Sequence, residues 1–271
     1  MEAVLNESAS AVVAFSGGVD SSYLAWKSYG LLGNRMMAAT ADSASTPSHQ
    51  RKLAARIISD FGIPHRVFQS GEIELEKYRA NDADRCFYCK DEICSRLREI
   101  ADDAGFAVVL DGFNADDLDD YRPGRKAALK HGVRSPLMEA GLTKNDIREL
   151  SRRAGLPTAD EPASACLSTR LPYGVKITAE KLRIIDRCEE FLREEGFRIF
   201  RVRHHETLAR IELGLDDLKR ALNTETAAKL AAAFKNFGYK FVTLDLEGYR
   251  MGSANEVLGY PEKQKFAADI E

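Results

Sequence analysis

The seven residues from Ser16 to Ser22 have the types and order of a phosphate-binding turn. They read Ser-Gly-Gly-Val-Asp-Ser-Ser, follow an apolar, β-prone run at 11–15 and precede a segment at 23–29 with helical character. Between a strand and a helix, backbone N–H groups converge on an anion, and the helix dipole adds partial positive charge. The sequence therefore predicts a phosphate site, with a ligand-free Gly-Ser turn as the alternative.

This turn lacks the lysine and the glycine spacing of a Walker A loop. It resembles the SGGxDS loop of the ATP pyrophosphatases, which implies that ATP is cleaved between its α and β phosphates. The glycines let the main chain approach the phosphates, the serine hydroxyls donate to them, and Asp20 holds Mg²⁺. The predicted ATP-binding residues are Ser16, Gly17, Gly18, Asp20, Ser21, Ser22 and Asp42.

Two cysteines, Cys86 and Cys89, form a CxxC pair near the predicted start of a helix. Thiols at this spacing can share a metal or a cluster, but a closed site needs further ligands, so two buried thiols are the alternative. The odd total of five cysteines argues against a disulfide framework. Cys94 and Cys188 fall within apolar helical patterns and are predicted core residues.

A third candidate thiol, Cys166, lies in an irregular segment four residues before Arg170. A guanidinium nearby would stabilise the thiolate and make it more nucleophilic, so both residues are predicted to be catalytic. An ordinary loop cysteine is the alternative.

Arg201 and Arg203 lie on the same face of a predicted strand, because side chains alternate along a strand. Two guanidinium groups on one face suit a substrate phosphate, and a solvated basic face is the alternative. The adjacent His204 and His205 point to opposite sides, so we do not expect them to share a metal ion.

Alternating segments predict the frame that positions these residues. Strand-like runs occur at 11–15, 36–41, 65–68 and 107–110, with helical patterns at 47–61 and 89–104. This β-α-β order predicts an α/β fold, a parallel sheet with helices on both faces. Ligands bind at the carboxyl ends of such strands, where the Ser-Gly turn, Asp42 and Asp111 are expected to meet. An acidic run follows that could hold magnesium or a ribose, or be a solvated turn: Asp116, Asp117, Asp119 and Asp120.

The pattern changes after a capped helix from Thr143 to Ala154 and an irregular segment at 157–177. Later strands are predicted at 197–203, 208–213 and 240–246, and helices at 178–195, 215–222 and 225–237. These elements predict a smaller α+β domain. Residues 1–170 are thus the predicted ATP-binding domain, and 171–271 the predicted substrate-binding or oligomerisation domain.

The composition and charge of the chain limit the classes of binding partner that we expect. A net charge of −3 over 271 residues gives no broad surface for nucleic acid, and no apolar run reaches the length of a membrane span. The N-terminus lacks the features of a signal peptide. We expect a cytoplasmic protein that acts on a small molecule, without nucleic-acid or membrane partners.

Several motifs together resemble the LarE family, ATP-dependent sulfur transferases of nickel-pincer nucleotide cofactor biosynthesis. The motifs are the segments 15–22, 85–90, 111–117, 119–124, 162–170, 208–212 and 248–253. The segment around Cys166 and the Gly-Tyr-Arg tail are more selective than the Ser-Gly loop. The resemblance implies a pyridinium mononucleotide substrate with two carboxylates, one of which is adenylated and converted to a thiocarboxylate. It also implies a homo-oligomer, a trimer or hexamer.

The resemblance leaves two sulfur sources open. In some family members a single cysteine is consumed as donor, becoming dehydroalanine, and Cys166 occupies that place. In others a CxxC and the loop cysteine hold a [4Fe–4S] cluster whose open iron carries an extra sulfide. This chain has all three thiols, Cys86, Cys89 and Cys166, which favours the cluster.

Three other functions compete. An ammonia-using synthetase of the same superfamily would not need Cys166. A tRNA thiolase usually carries an RNA-binding region or a more basic surface. A non-catalytic nucleotide sensor would bind ATP without releasing pyrophosphate.

Overall fold

The computed structural model describes residues 1–118, 123–162, 164–250 and 252–253. The N-terminal part contains a four-stranded sheet in the order β3-β2-β1-β4, and all its neighbouring strands are parallel. These strands are β1 (Ala11–Ala14), β2 (Met36–Asp42), β3 (His65–Gln69) and β4 (Val108–Leu110). The register aligns Ala11 with Met36 on one side and with Val108 on the other. The phosphate turn therefore follows a central strand.

Helices cover both faces of this sheet because successive side chains of its buried strands point to opposite sides. Val13 packs with Tyr23, Leu137 and Ile147 on one face. On the other face Val12 packs with a separate group that includes Leu97. The helices of this part are α1 (Glu2–Asn6), α2 (Val19–Leu32), α3 (Ser48–Phe61), α4 (Glu76–Arg79), α5 (Arg85–Asp103), α6 (Pro123–Lys130), α7 (Pro136–Glu139) and α8 (Lys144–Arg153). The predicted α/β fold class is confirmed.

A smaller mixed sheet follows, in the order β5-β6-β7, with one antiparallel and one parallel pairing. Its elements are α9 (Ala179–Glu194), β5 (Phe200–His205), β6 (Leu208–Leu213), α10 (Leu215–Ala221), α11 (Thr224–Asn236) and β7 (Phe241–Leu244). Its core joins Leu192 of α9 and Phe234 of α11 to Val202 and Ile211 of the sheet. This α+β arrangement also agrees with the sequence prediction.

A further apolar cluster joins the two parts of the chain. Tyr78 of α4 packs there with Leu167, Leu171 and Ile185, and the half-buried Cys89 packs against them. The segment that carries Cys166 is thus part of the packing between the two sheets.

Most element boundaries lie within a few residues of the predictions, and the exceptions are helix starts. Helix α2 begins at Val19 and α5 at Arg85, each four residues before the predicted apolar pattern, because a first helical turn need not be apolar. Thr143 forms the predicted capping box with Asp146. Within the irregular segment at 157–177, the described residues form a short 3₁₀ turn at Leu167–Arg170. No helix among the described residues is long and apolar enough to cross a membrane.

Candidate active site

The phosphate turn has the close packing that its glycines predict. Gly17 has φ +76°, and a Cβ atom there would lie 2.8 Å from the Cβ of Ala54. Any other residue is therefore excluded by conformation and by space. Gly18 comes next and caps the N-terminus of α2, so the first-turn N–H groups of this helix stay available to an anion.

Serine hydroxyls fix the shape of this turn. Ser21 Oγ donates to the carbonyl of Gly18 at 3.2 Å and accepts from the N–H of Ser16 at 3.2 Å. The hydroxyls of Ser16 and Ser21 lie 3.1 Å apart. Ser22 is fully buried, and no hydrogen bond to its Oγ occurs among the described residues. Ser16 and Ser21 thus build the turn, whereas Ser22 lies beneath it.

Asp20, predicted to hold Mg²⁺, projects from the first turn of α2 and contacts Lys144. The amide of Asn114 also donates to it, at 3.4 Å. Lys144 is fixed by its own backbone N–H, which donates to Asp116 at 2.9 Å. Sequence reasoning missed Lys144, because nothing in its local pattern distinguishes it from an exposed helix-start lysine.

Lys144 is expected to strengthen ATP binding, because its ammonium lies where a metal–phosphate group would contact Asp20. Lys144→Ala should raise the KM for ATP roughly tenfold, the worth of one charge-assisted contact of about 1.5 kcal/mol. Steady-state pyrophosphate release measures this, and Lys229→Ala, which removes an exposed lysine paired with Glu195, is the matched control. Equal KM values for the two variants would contradict a role for Lys144.

The carboxyl ends of the other strands border the same edge. Asp111 follows β4, accepts from the hydroxyl of Ser135 at 2.7 Å and pairs with Lys90 at 3.2 Å. The next residue, Gly112, is so close to the turn that its Cβ would lie 3.0 Å from the N of Ser21. Asp42 ends β2 and accepts from the Gln69 amide at 2.8 Å. Asp119 and Asp120 of the acidic run lie outside the described residues.

Packing brings candidate thiols near one another, because Cys89 joins the apolar cluster that contains Leu167, the residue after Cys166. Cys86 is exposed, whereas Cys89 and Cys166 are half-buried. Burial raises the pKa of the Cys89 thiol, and the nearby Cys166, Glu72 and Cys86 raise it further. Within the described ranges no three His, Cys, Asp or Glu side chains converge on a point where one metal ion could sit.

The other two cysteines are core residues, as their apolar patterns predict. Cys94 and Cys188 are completely buried. Burial raises the pKa of Cys94 to about 11. It raises the pKa of Cys188 as well.

The Cys166 segment is held from both sides. On the side of the first sheet, the N–H of Leu167 donates to the carbonyl of Ser45 at 2.7 Å, and Ser168 and Tyr78 hydroxyls lie 2.5 Å apart. On the other side, Arg203 of β5 donates to the carbonyl of Thr169 at 3.0 Å. The backbone of this segment is therefore positioned by both parts of the chain.

Arg170 is a buried residue whose charge is paired. It makes two hydrogen bonds to the carboxylate of Glu189, at 2.8 and 3.0 Å. Although burial opposes ionisation, Arg170 holds the pKa of Glu189 below its usual value. Arg170 also orders the Cys166 segment, because it donates to the carbonyls of Ala165 and Cys166.

The two predicted phosphate-binding arginines differ in their surroundings. Arg203 makes two 2.8 Å hydrogen bonds to Glu212 and a third, at 3.0 Å, to the carbonyl of Thr169. Arg201 stacks on the ring of Tyr249 at 4.9 Å. Burial lowers the pKa of Arg201, and the charge of Arg170 lowers it further. The local excess of positive charge suits an anion beside Arg201.

His204 and His205 have separate surroundings. The ring of His204 is buried and hydrogen-bonded to the hydroxyl of Tyr239 at 2.9 Å, whereas His205 is exposed. The buried ring and the exposed ring lie on opposite sides of β5, as side chains alternate along a strand.

Comparison with known proteins finds relatives that match most of the chain. No protein-family model matches the chain. It is 43% identical over 248 residues to an uncharacterised protein of Synechocystis, with 92% of each chain covered. It is 29% identical over 246 residues to an uncharacterised protein of Methanocaldococcus jannaschii, with 88% of this chain and 90% of the relative covered.

A third relative has a stated activity. Pyridinium-3,5-bisthiocarboxylic acid mononucleotide synthase of Lactiplantibacillus plantarum is 33% identical over 266 residues, with 98% of this chain and 96% of the relative covered. The chain belongs to the LarE family. As a LarE protein it is an enzyme, a sulfur transferase, and the resemblance seen in its motifs is confirmed.

Proposed function

We propose that this LarE protein uses ATP to adenylate a carboxylate of a pyridinium mononucleotide and converts that carboxylate to a thiocarboxylate for nickel-pincer cofactor biosynthesis. One contact carries the proposal. Ser164, two residues before Cys166, donates to the side chain of Gln50 at 3.0 Å. The carbonyl of the same Gln50 lies within 3.0 Å of where a Cβ of Gly17 would be. The Cys166 segment therefore lies beside the phosphate turn.

In the first step, a substrate carboxylate oxygen attacks the α-phosphorus of ATP, and pyrophosphate leaves with the bonding electrons. Asp20 would hold Mg²⁺ on the leaving phosphates, while N–H groups at the start of α2 bind them. The product is an acyl-adenylate, in which AMP is a far better leaving group than oxide. In the second step, a sulfur nucleophile adds to the acyl carbon and AMP departs.

Two sulfur sources are compatible with the thiols. We favour a [4Fe–4S] cluster held by Cys86, Cys89 and Cys166, which would supply sulfide at the iron without a cysteine ligand. The packing of Cys89 in the same apolar cluster as Leu167, the residue after Cys166, supports it. In the alternative, the Cys166 thiolate forms a thioester, and β-elimination leaves the thiocarboxylate on the substrate and dehydroalanine in the chain. That route gives the CxxC pair no role.

The two parts of the chain, each with its own sheet, have different proposed ligands. We propose that residues 1–170 bind ATP and that residues 171–271 hold the substrate phosphate through Arg201 and Arg203. The link between them is short, because Arg203 donates to the carbonyl of Thr169, three residues after Cys166. A homo-oligomeric state, trimer or hexamer, and a cytoplasmic location stay predictions.

Replacing Arg201 or Arg203 with alanine should raise the KM for the mononucleotide far more than the KM for ATP. A lost charge-assisted contact of roughly 1.5–3 kcal/mol corresponds to about a 10- to 150-fold increase. Arg203→Ala should also lower Tm, because it removes two hydrogen bonds to the buried Glu212 carboxylate and leaves it only the half-exposed Arg210 as a counter-charge. Steady-state kinetics and thermal melting measure both effects. Equal increases in the two KM values would count against the assignment.

The test of the function is a product assay under anaerobic conditions with Mg-ATP, sulfide and the pyridinium biscarboxylate mononucleotide. We expect pyrophosphate, AMP and a thiocarboxylate, identified by mass spectrometry. A carboxamide formed from added ammonium would show an ammonia-using synthetase instead. Sulfur incorporated into tRNA would show a tRNA thiolase, and ATP binding without pyrophosphate release would show a sensor.

A further inference from the structure

Glu72 is a buried carboxylate without a counter-charge among the residues that the structure describes. The residue is only 1% exposed. One carboxylate oxygen accepts from the hydroxyl of Ser43, and the other is buried with no hydrogen-bond partner among the described residues. No basic side chain in the described part of the chain forms an ion pair with it. Burying an unpaired carboxylate is costly, so such a group calls for a cation.

The position of Glu72 is fixed by contacts on two sides. On one side, the N–H of Gly71 donates to Glu92 at 3.1 Å. Glu92 lies one turn after Cys89 on α5, on the same face of the helix. The loop that carries Glu72 is therefore attached to the CxxC helix next to its second thiol.

On the other side, the serine that donates to Glu72 leads to the Cys166 segment. The hydroxyls of Ser43 and Ser45 lie 2.7 Å apart. The carbonyl of Ser45 accepts from the N–H of Leu167 at 2.7 Å. Ile73, adjacent to Glu72, packs in the cluster that contains Leu167 and Cys89. Glu72 thus lies between the CxxC helix and the third cysteine.

We infer that Glu72 is the fourth, exchangeable ligand of the [4Fe–4S] cluster, on the iron that Cys86, Cys89 and Cys166 leave without a thiolate. The inference rests on the cluster proposed above. Glu72 is a buried anion for which the described residues supply no cation. The fourth iron of the cluster is a cation for which the three cysteines supply no ligand. A carboxylate is a harder ligand than a thiolate and gives way to sulfur donors more readily. Hydrosulfide carries the same single negative charge as the Glu72 carboxylate. Its exchange for Glu72 therefore leaves the net charge around the cluster unchanged.

The test compares wild type, Glu72→Gln and the control Glu92→Gln after anaerobic reconstitution. The control removes a neighbouring carboxylate that contacts the same loop but is paired with Arg96. Iron content, Mössbauer spectra and EPR spectra of the reduced protein are recorded, followed by titration with sodium hydrosulfide. We expect Glu72→Gln to keep its iron, to change the signature of one iron, and to bind hydrosulfide at least about tenfold more tightly because the competing ligand is gone. Glu92→Gln should behave as wild type.

Each other outcome has a defined meaning. Glu72→Gln with wild-type spectra and hydrosulfide affinity would overturn the ligand role while leaving the cluster in place. Folded Glu72→Gln that takes up no iron would also overturn it, because three cysteines suffice to hold a cluster. Wild type without iron would remove the cluster and this inference together. If Glu72→Gln does not fold, Glu72→Asp is measured instead. The shorter side chain should not bring its carboxylate to the position of the Glu72 carboxylate, so this variant should also change the signature of one iron.

Discussion

Replacing Cys166 with serine is expected to abolish thiocarboxylate formation while a first turnover of pyrophosphate release continues. Both sulfur sources depend on this thiol, as donor or as ligand, and a serine hydroxyl is a poor substitute in either role. The phosphate turn and Asp20 are held by contacts with residues other than Cys166. Adenylation should therefore persist in this variant until the acyl-adenylate fills the site. Rapid-quench measurement of pyrophosphate and thiocarboxylate separates the two steps.

Cys94→Ala is the matched control for this variant. Cys94 lies on α5 with the CxxC pair but is completely buried in the core. Its loss should cost stability without stopping sulfur transfer. Thiocarboxylate formed by Cys166→Ser at the wild-type rate would remove Cys166 from the mechanism.

Asp20→Ala is expected to reduce pyrophosphate release by about 10²–10³-fold, because an electrostatic contact made to the leaving phosphates is worth roughly 2.7–4 kcal/mol in the transition state. The fold should persist, since Asp20 is partly exposed and its removal from the first turn of α2 costs about 0.3–1 kcal/mol. Turnover and thermal melting test both statements.

Asp20→Asn distinguishes charge from hydrogen bonding at the same position. The amide has nearly the same shape but cannot neutralise Mg²⁺ or Lys144, so its rate should resemble that of Asp20→Ala. Unchanged turnover in either purified variant would contradict the assignment of the turn to ATP cleavage.

The fold was accessible from the sequence wherever a strong local pattern was present. Strand-like runs of four to six residues became the strands of the first sheet, and Gly17 marked the turn because only glycine fits there. Alternation along β5 correctly separated His204 from His205. These features depend on neighbours in the chain, so the sequence contains their physical cause.

The contacts that complete the site depend on residues far apart in the chain. Lys144 reaches Asp20, Gln50 reaches Ser164, and Glu189 reaches Arg170 only after the sheets and helices have packed. Before packing, Glu189 is one more charged residue on an amphipathic helix. Glu72 was missed for a similar reason, because its burial and its unpartnered oxygen are properties of the folded chain.

The most direct measurement of the central claim is the intact mass and iron content of anaerobically prepared protein before and after a single turnover. We expect brown protein with about four irons per chain, the content of one [4Fe–4S] cluster, and an unchanged mass after thiocarboxylate has formed. Cys86→Ala, Cys89→Ala and Cys166→Ala should each lose the iron. Colourless protein that loses one H₂S per chain, with dehydroalanine at Cys166, would contradict the account and establish Cys166 as the sulfur donor.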